Sequence, residues 1–381
     1  MIETRPHPPK GRVRPARLST GWLAAGCAAV LMALVAGLAI GPVALNPAGV
    51  GAVLVNYAAD LLGLGAANGF GVLDAEAAVG PVLHSGLTAQ EAAIVTELRL
   101  PRVVLGLLVG AVLALAGGCY QGVFRNPLAD PYLLGVAAGA GLGATTAVVV
   151  RYAANLEGGA TDSLLLPAFA FAGAMIALVL TYGLGASGGR IRTPATLILA
   201  GVAVAAFLTA IQTYLLQQNV ETIREVYSWL LGSLATTGWG DVRLVLPYAL
   251  ATFVVVLALR RELDVLSVGD DEASSLGLHP QRSRLILVGM ASLGTAAAVS
   301  VAGLIGFVGI IVPHIVRLLA GSSYRVILPL SMLFGAAFLA LCDVGARTVQ
   351  APTEVPIGVV TAFIGAPFFI LVLRTAKRVG L

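Results

Sequence analysis

The chain of 381 residues is 58% hydrophobic and only 11% charged, with a mean hydropathy of +0.93. Soluble domains run at about 45–50% apolar and about 25% charged, so this composition excludes a soluble globular enzyme or binding module and predicts an all-α, polytopic membrane protein. The formal net charge of +4 is accompanied by no nucleic-acid motif, so no nucleic-acid partner is expected.

Lysine occurs only as Lys10 and Lys377. Neither lies in the G-x-x-x-x-G-K-[ST] context that cradles phosphates, so the chain carries no such ATP site. Cys27, Cys119 and Cys342 stand far apart in apolar runs and read as small buried residues. His7, His84, His279 and His314 form no H-x-x-H pattern, which argues against a metal or haem site.

In chain order, residues 1–20 with Arg5, Lys10, Arg12, Arg14 and Arg17 read as a disordered basic tail. Residues 21–44 read as the first span. Residues 45–98, broken by glycines and bearing Asp60, Asp74, Glu76, Glu91 and Glu97, read as an external segment with short interfacial helices. Further spans are expected near 101–122, 132–154, 167–186, 194–217, 241–259, 285–303, 305–320, 325–346 and 356–374, each close to the length that a bilayer demands. Residues 21–378 therefore form one domain of about ten transmembrane helices. Pro313, Pro329 and Pro367 predict kinks, and His314 reads as a hydrogen-bonded core residue. With the N-terminus inside, seventeen of the 23 Lys and Arg residues fall on the cytoplasmic side, and so do both termini. Among the external ones, Arg99 and Arg102 flank Pro101, and Arg347 follows Asp343 by four residues. They read as snorkelling anchors, as a local ion pair, or as positive charge presented to an acidic partner. Gln212, Tyr214, Gln217 and Gln218 read as pathway lining or interfacial anchors.

One charged island interrupts the apolar sequence: RRELDVLSVGDDEASSLGLHPQRSR, residues 260–284. It must be aqueous, since a central charge in hydrocarbon costs roughly 2.5–3.5 kcal/mol. Asp270, Asp271 and Glu272 suit the positive end of a short helix. Ala273 and Leu276 are spaced to share a face. Gly277 suits the left-handed residue that ends a helix, and Pro280 follows it. Leu263, Leu266, Val268 and Leu278 supply apolar surface. Spacing alone allows a protein-docking element or a solvated loop with a helical turn, the commoner meaning of a charge run.

Three stretches carry a resemblance: LRLPRVVLGLLVGAVLALAGGCYQGVFRNPLADPYLLGVAAGAGLGA (98–144), GDDEASSLGL (269–278) and GLIGFVGIIVPHIVRLLAG (303–321), the last followed by EVPIGVVTAFIGAPFFILVL (354–373). Together they resemble the FecCD-type membrane permease of bacterial ABC importers for iron–siderophore complexes, haem and vitamin B12. The resemblance covers nearly all of residues 98–378. It implies a type II ABC importer fold in the bacterial inner membrane, embedded in lipid. It also implies a homodimer, or a heterodimer with a paralogue, whose translocation path lies at the subunit interface. Two ATP-binding cassette subunits would carry ATP and Mg below, with no cofactor on this chain, and an extracytoplasmic substrate-binding protein would dock above.

Carried over residue by residue, the resemblance implies that Gly269, Asp270, Asp271, Glu272, Ala273, Leu276, Gly277 and Leu278 couple to the ATPase. Arg99, Arg102 and Arg347 would meet carboxylates on the binding protein. Asn126 and Leu128 would form one inner gate, and Thr193 and Pro194 a second. At the second, Pro194 and Ala195 depart from the small hydroxyl residues common in the family. Ferric siderophore is the expected cargo on family frequency, with haem and cobalamin behind it. The spans are nearly free of Asp, Glu, Lys and Arg, which argues against an ion-coupled secondary transporter. The absence of a polar cluster at helical spacing argues against a membrane-embedded enzyme.

Overall fold

The computed structural model describes residues 18–41, 43, 45–61, 85–155, 162–186 and 194–376. The basic tail to residue 17, much of the 45–98 segment, and Thr193 lie outside the described residues. The elements in chain order are α1 (Thr20–Ala39), α2 (Pro47–Leu61), α3 (Ala89–Ala93), α4 (Leu100–Phe124), α5 (Val136–Ala153), α6 (Asp162–Ala186), α7 (Pro194–Gln218) and α8 (Ile223–Leu230). They continue with α9 (Trp239–Ala258), α10 (Arg260–Leu266), α11 (Asp270–Ser275), α12 (Pro280–Ala302), α13 (Val308–Ala320), α14 (Tyr324–Thr348) and α15 (Ile357–Ala376). Among the described residues the chain is all helix and connection.

The ten expected spans correspond to α1, α4, α5, α6, α7, α9, α12, α13, α14 and α15, and eight of these are long and apolar enough to cross a membrane. The exceptions are α13 and α15. At 13 residues α13 is about 20 Å long, against roughly 30 Å of hydrocarbon. It is short because α12 ends at Gly303 (φ +70°) and the chain runs unwound to Phe307 (φ +69°) before α13 begins.

The second span starts earlier than expected. α3, a π-helical turn over Ile94–Arg99 and α4 form one continuous helix of 36 residues. The π turn shifts the bonding register so that the Leu100 amide donates to the Val95 carbonyl. Pro101, which has no N–H, follows that shift instead of breaking the helix.

α4 is the axis of the bundle. Nearly all its side chains are buried, against α14, α12, α13 and α9. In a bilayer apolar burial gives little drive for helices to associate, so close backbone approach has to supply the attraction. Glycine pairs provide it. A Cβ on Gly110 would lie 2.3 Å from the Gly335 carbonyl of α14, and one on Gly139 of α5 would lie 2.2 Å from that of Gly173 in α6. Polar side chains add single bonds between helices: Tyr120 with Ser292 at 2.5 Å, Thr252 to the Met290 carbonyl at 3.0 Å, and Thr181 to the Leu134 carbonyl at 3.0 Å. Cys119 and Cys342 are buried as expected, whereas Cys27 is exposed on α1. His314 packs edge-on against Phe368 at 5.9 Å, and its Nδ1, expected to be hydrogen-bonded, has no such bond among the described residues.

Candidate functional site

The charged island folds as two short helices, α10 and α11, and not as a single one. Leu263 and Leu266 of α10 are fully buried; Leu263 lies against Gly122 of α4 and Tyr324 of α14. Asp264 accepts from the Tyr324 amide (2.6 Å) and from Ser323 Oγ (2.8 Å). Its carboxylate thus caps the N-terminus of α14, where orphan amides and the helix dipole favour negative charge. α11 begins after Gly269 and closes as expected. Gly277 is left-handed (φ +83°), its amide donates to the Ser274 carbonyl, and the Leu278 amide donates to the Ala273 carbonyl at 3.0 Å.

Ala273 and Leu276 do not share a face. Ala273 is fully buried and Leu276 is 71% exposed, because Leu276 is already the capping residue where the chain turns away. Val268 is likewise exposed, and Asp271 and Glu272 point to solvent. Asp270 turns inward. Its carboxylate accepts from Arg125 Nη2 (3.0 Å) at the end of α4, and from Arg284 Nη2 (2.9 and 3.0 Å) in the first turns of α12. The island therefore has one face riveted to α4, α12 and α14, and another of Val268, Asp271, Glu272 and Leu276 that is open.

Arg125 also leads into the expected inner gate. It is left-handed (φ +53°), and the Asn126 amide folds back onto the Gln121 carbonyl. The Asn126 side chain then accepts from the Leu128 amide at 2.9 Å. Asn126 and Leu128 thus form one tight turn directly beside the rivet. Pro194, the first residue of α7, is half-buried.

From that turn the chain climbs back into the bundle, and Pro131 packs on Gly309 of α13. Tyr132 Oη donates to the Ile305 carbonyl (3.0 Å) and accepts from the Ile305 amide (3.2 Å). It satisfies both backbone groups of a residue in the unwound stretch between α12 and α13.

At the opposite end, Arg99, Arg102 and Arg347 are all buried. Arg102 bonds Asp343 through Nε (3.1 Å) and Nη2 (2.8 Å), and holds both carboxylate oxygens of Glu354 at 2.9 and 2.8 Å. Arg347 pairs with Asp343 at 3.2 Å and donates to the Gly37 carbonyl at 2.8 Å. Arg99 donates to the carbonyls of Leu38, Ala39 and Val43. The first two are the last carbonyls of α1, which has no basic residue in its own final turn, and Val43 lies just beyond it. The local ion pair allowed by the Asp343–Arg347 spacing is thus present, and in this conformation the three guanidinium groups are turned to internal partners. Gln212 is buried against Gly141, whereas Tyr214 is exposed.

Residues 29–375 match the FecCD transport family. The chain belongs to that family. The cobalamin import system permease protein BtuC of Halobacterium salinarum is 44% identical over 292 residues, covering 77% of this chain and 76% of that protein. The Fe(3+) dicitrate transport system permease protein FecD of Escherichia coli is 37% identical over 284 residues, 74% of this chain and 85% of that protein. A solved structure described as an inward-facing conformation of a metal-chelate type ABC transporter aligns with a TM-score of 0.75 at 26% identity, covering 94% of this chain and all of the other. This FecCD protein is thus an ABC importer permease, a transport component and not an enzyme.

Within this FecCD permease, sequence reasoning missed Arg125, Arg284, Asp264, Tyr132 and Glu354. Their partners lie 14 to 252 positions away, and no local pattern marks them. The one available signal was charge: Asp264 and Asp270 are carboxylates at a membrane boundary, with arginines at the ends of neighbouring spans.

Proposed function

We propose that this permease carries a metal chelate across the bacterial inner membrane into the cytoplasm, with both chain termini on the cytoplasmic side. ATP and Mg are held on two separate cassette subunits. The observation that carries the reading is the two-faced island. Val268, Asp271, Glu272 and Leu276 offer an acidic, partly apolar foothold, and Asp270 ties it to α4 and α12. Closure of the ATPase pair pushes α11, and the push reaches the Asn126–Leu128 turn through Arg125. Differential binding of the ATPase to the two arrangements shifts the permease between outward- and inward-facing states.

A ferric siderophore is the proposed cargo. Relatives named for Fe(3+)-citrate and iron(3+)-hydroxamate import support it, at 39% and 38% identity. Cobalamin is the second reading, favoured by the 44% identity to the Halobacterium cobalamin permease. A second copy of this chain, or a paralogue, is proposed against α7, α8 and α15. The support is an apolar hollow lined by Leu230, Leu304, Val359, Phe363 and Pro367, with Phe363 77% exposed. For an extracytoplasmic binding protein to engage Arg102, its carboxylate must take the place of Glu354.

The test is reconstitution with the cognate ATPase and binding protein. Substituting Asp271→Asn and Leu276→Ala together should abolish the link between ATP hydrolysis and uptake. Unchanged coupling would remove the docking role. The ligand retained by the purified binding protein decides between siderophore and cobalamin.

A further inference from the structure

The inner ends of α9 and α12 carry three arginines that the transport scheme leaves unused. Arg260 and Arg261 open α10, and Arg282 lies in the first turn of α12. None of the three makes a hydrogen bond or ion pair among the described residues. Four other arginines at this end are engaged: Arg125 and Arg284 on Asp270, Arg325 on Asp264, and Arg317 on Gln121 and Tyr324. The nearby carboxylates of Asp264 and Asp270 are therefore already taken.

The unused arginines share one level of the bundle. α9 and α12 run antiparallel, and Thr252 bonds the Met290 carbonyl at 3.0 Å. Eight residues along each helix towards the water, about two turns, the register brings Arg260, just past the end of α9, and Arg282 to one level. A shallow hollow there is lined by Val254, Leu257, Ala258, Arg260 and Arg261. Exposed apolar side chains continue along α9, and others stand on α12. Val254 is 67% exposed, and Leu285 and Ile286, on the same face of α12 as Arg282 at i+3 and i+4, are both about half exposed. Each helix thus presents an exposed apolar stripe that ends in guanidinium at the membrane boundary.

We propose that this hollow is a binding site for one anionic phospholipid. The phosphate sits among Arg260, Arg261 and Arg282, whose planar donor forks match its oxygens. An acyl chain lies along Val254 and Leu257 towards Leu285. Three arginines with no ion pair among the described residues are open to an external anion, and basic pockets between membrane helices are suited to acidic headgroups. The site adjoins α10, which precedes α11, the element on which the ATPase is proposed to act. The lipid assignment does not depend on that action.

The full-length permease, purified alone and in complex with its ATPase, is exchanged into phosphatidylcholine nanodiscs with or without phosphatidylglycerol, and bound lipid is counted by native mass spectrometry. One phosphatidylglycerol per chain should be retained in both preparations, and excess inorganic phosphate should not displace it. Each arginine near an anionic headgroup is worth roughly a factor of five in affinity. The triple variant Arg260→Gln, Arg261→Gln, Arg282→Gln should therefore bind roughly a hundredfold more weakly. None of these side chains has a described partner to lose, and Arg243→Gln, at the opposite end, should bind like wild type. Equal retention by wild type and triple variant, displacement by inorganic phosphate, or retention lost whenever the ATPase is bound would each overturn the proposal. The last outcome would assign the arginines to the ATPase interface.

Discussion

Tyr132 and Ile305 are joined twice, the phenol donating to the carbonyl and accepting from the amide of the same residue. Backbone that leaves the helix within a membrane bundle must find partners inside the protein, because hydrocarbon offers none. One side chain from the re-entrant stretch after α4 supplies both partners for the break between α12 and α13. Tyr132→Phe keeps the ring and strands both groups. Each unsatisfied buried group costs roughly 1–3 kcal/mol, so the melting temperature in detergent should fall by several degrees. An unchanged melting temperature would mean that water takes the place of the phenol.

Asp270→Asn should uncouple the transporter without dissolving it. The substitution keeps the shape of α11 and its open face, so the ATPase should still co-purify. Charge-assisted bonds contribute roughly 1.5–3 kcal/mol each, and every 1.4 kcal/mol is a factor of ten. Substrate moved per ATP hydrolysed should therefore drop about tenfold or more. Asp270→Glu should recover part of it, because the carboxylate remains. If the ATPase no longer co-purifies, Asp270 serves attachment and not transmission.

Gly117→Ala should be far more damaging than its one methyl suggests. The added Cβ would sit 2.0 Å from the Gly309 carbonyl, a backbone atom that no rotamer change can move. α4 and α13 would have to separate, and overpacking of this kind costs roughly 1–3 kcal/mol or more. Reduced yield of folded protein by size-exclusion chromatography is the readout. Gly183→Ala, where a Cβ meets nothing within 4 Å, should be close to neutral.

The cluster of Arg102, Asp343 and Glu354 makes stability fall in acid. Its hydrogen bonds to Arg102 hold the Glu354 carboxyl below the usual glutamate range. A depressed pKa stabilises the fold above the unfolded-state value and loses that contribution as pH falls through the folded-state value. Wild type should therefore exceed Glu354→Gln in thermal stability at pH 7, and the gap should begin to close as the pH falls below the ordinary glutamate value of about 4.3. Curves that stay parallel down to pH 3 would show that the carboxylate contributes through shape and not charge.

The helices and the ends of α11 were legible in the sequence because their causes are local. Runs of about twenty apolar residues mark spans, and Gly277 marks a left-handed cap. The break before α13 was half legible: its glycines were visible, but the shortness of α13 follows from Tyr132, far away in the chain. The outer arginines show the limit most clearly. The i,i+4 spacing of Asp343 and Arg347 announced a pair, yet nothing near Arg102 points to Asp343 and Glu354. Nothing near Arg99 points to the end of α1 either. Tertiary packing chose those partners, and one-dimensional patterns do not record it.

The seat of α1 has a consequence for how the chain is made. The carbonyl of Gly37 is satisfied by Arg347, and that of Leu38 by Arg99. A nascent chain leaving the ribosome delivers the first helix to the bilayer some three hundred residues before Arg347 exists. Arg99 lies only 61 positions after Leu38, so that bond can form early, and truncation before residue 347 would remove only the donor to the Gly37 carbonyl.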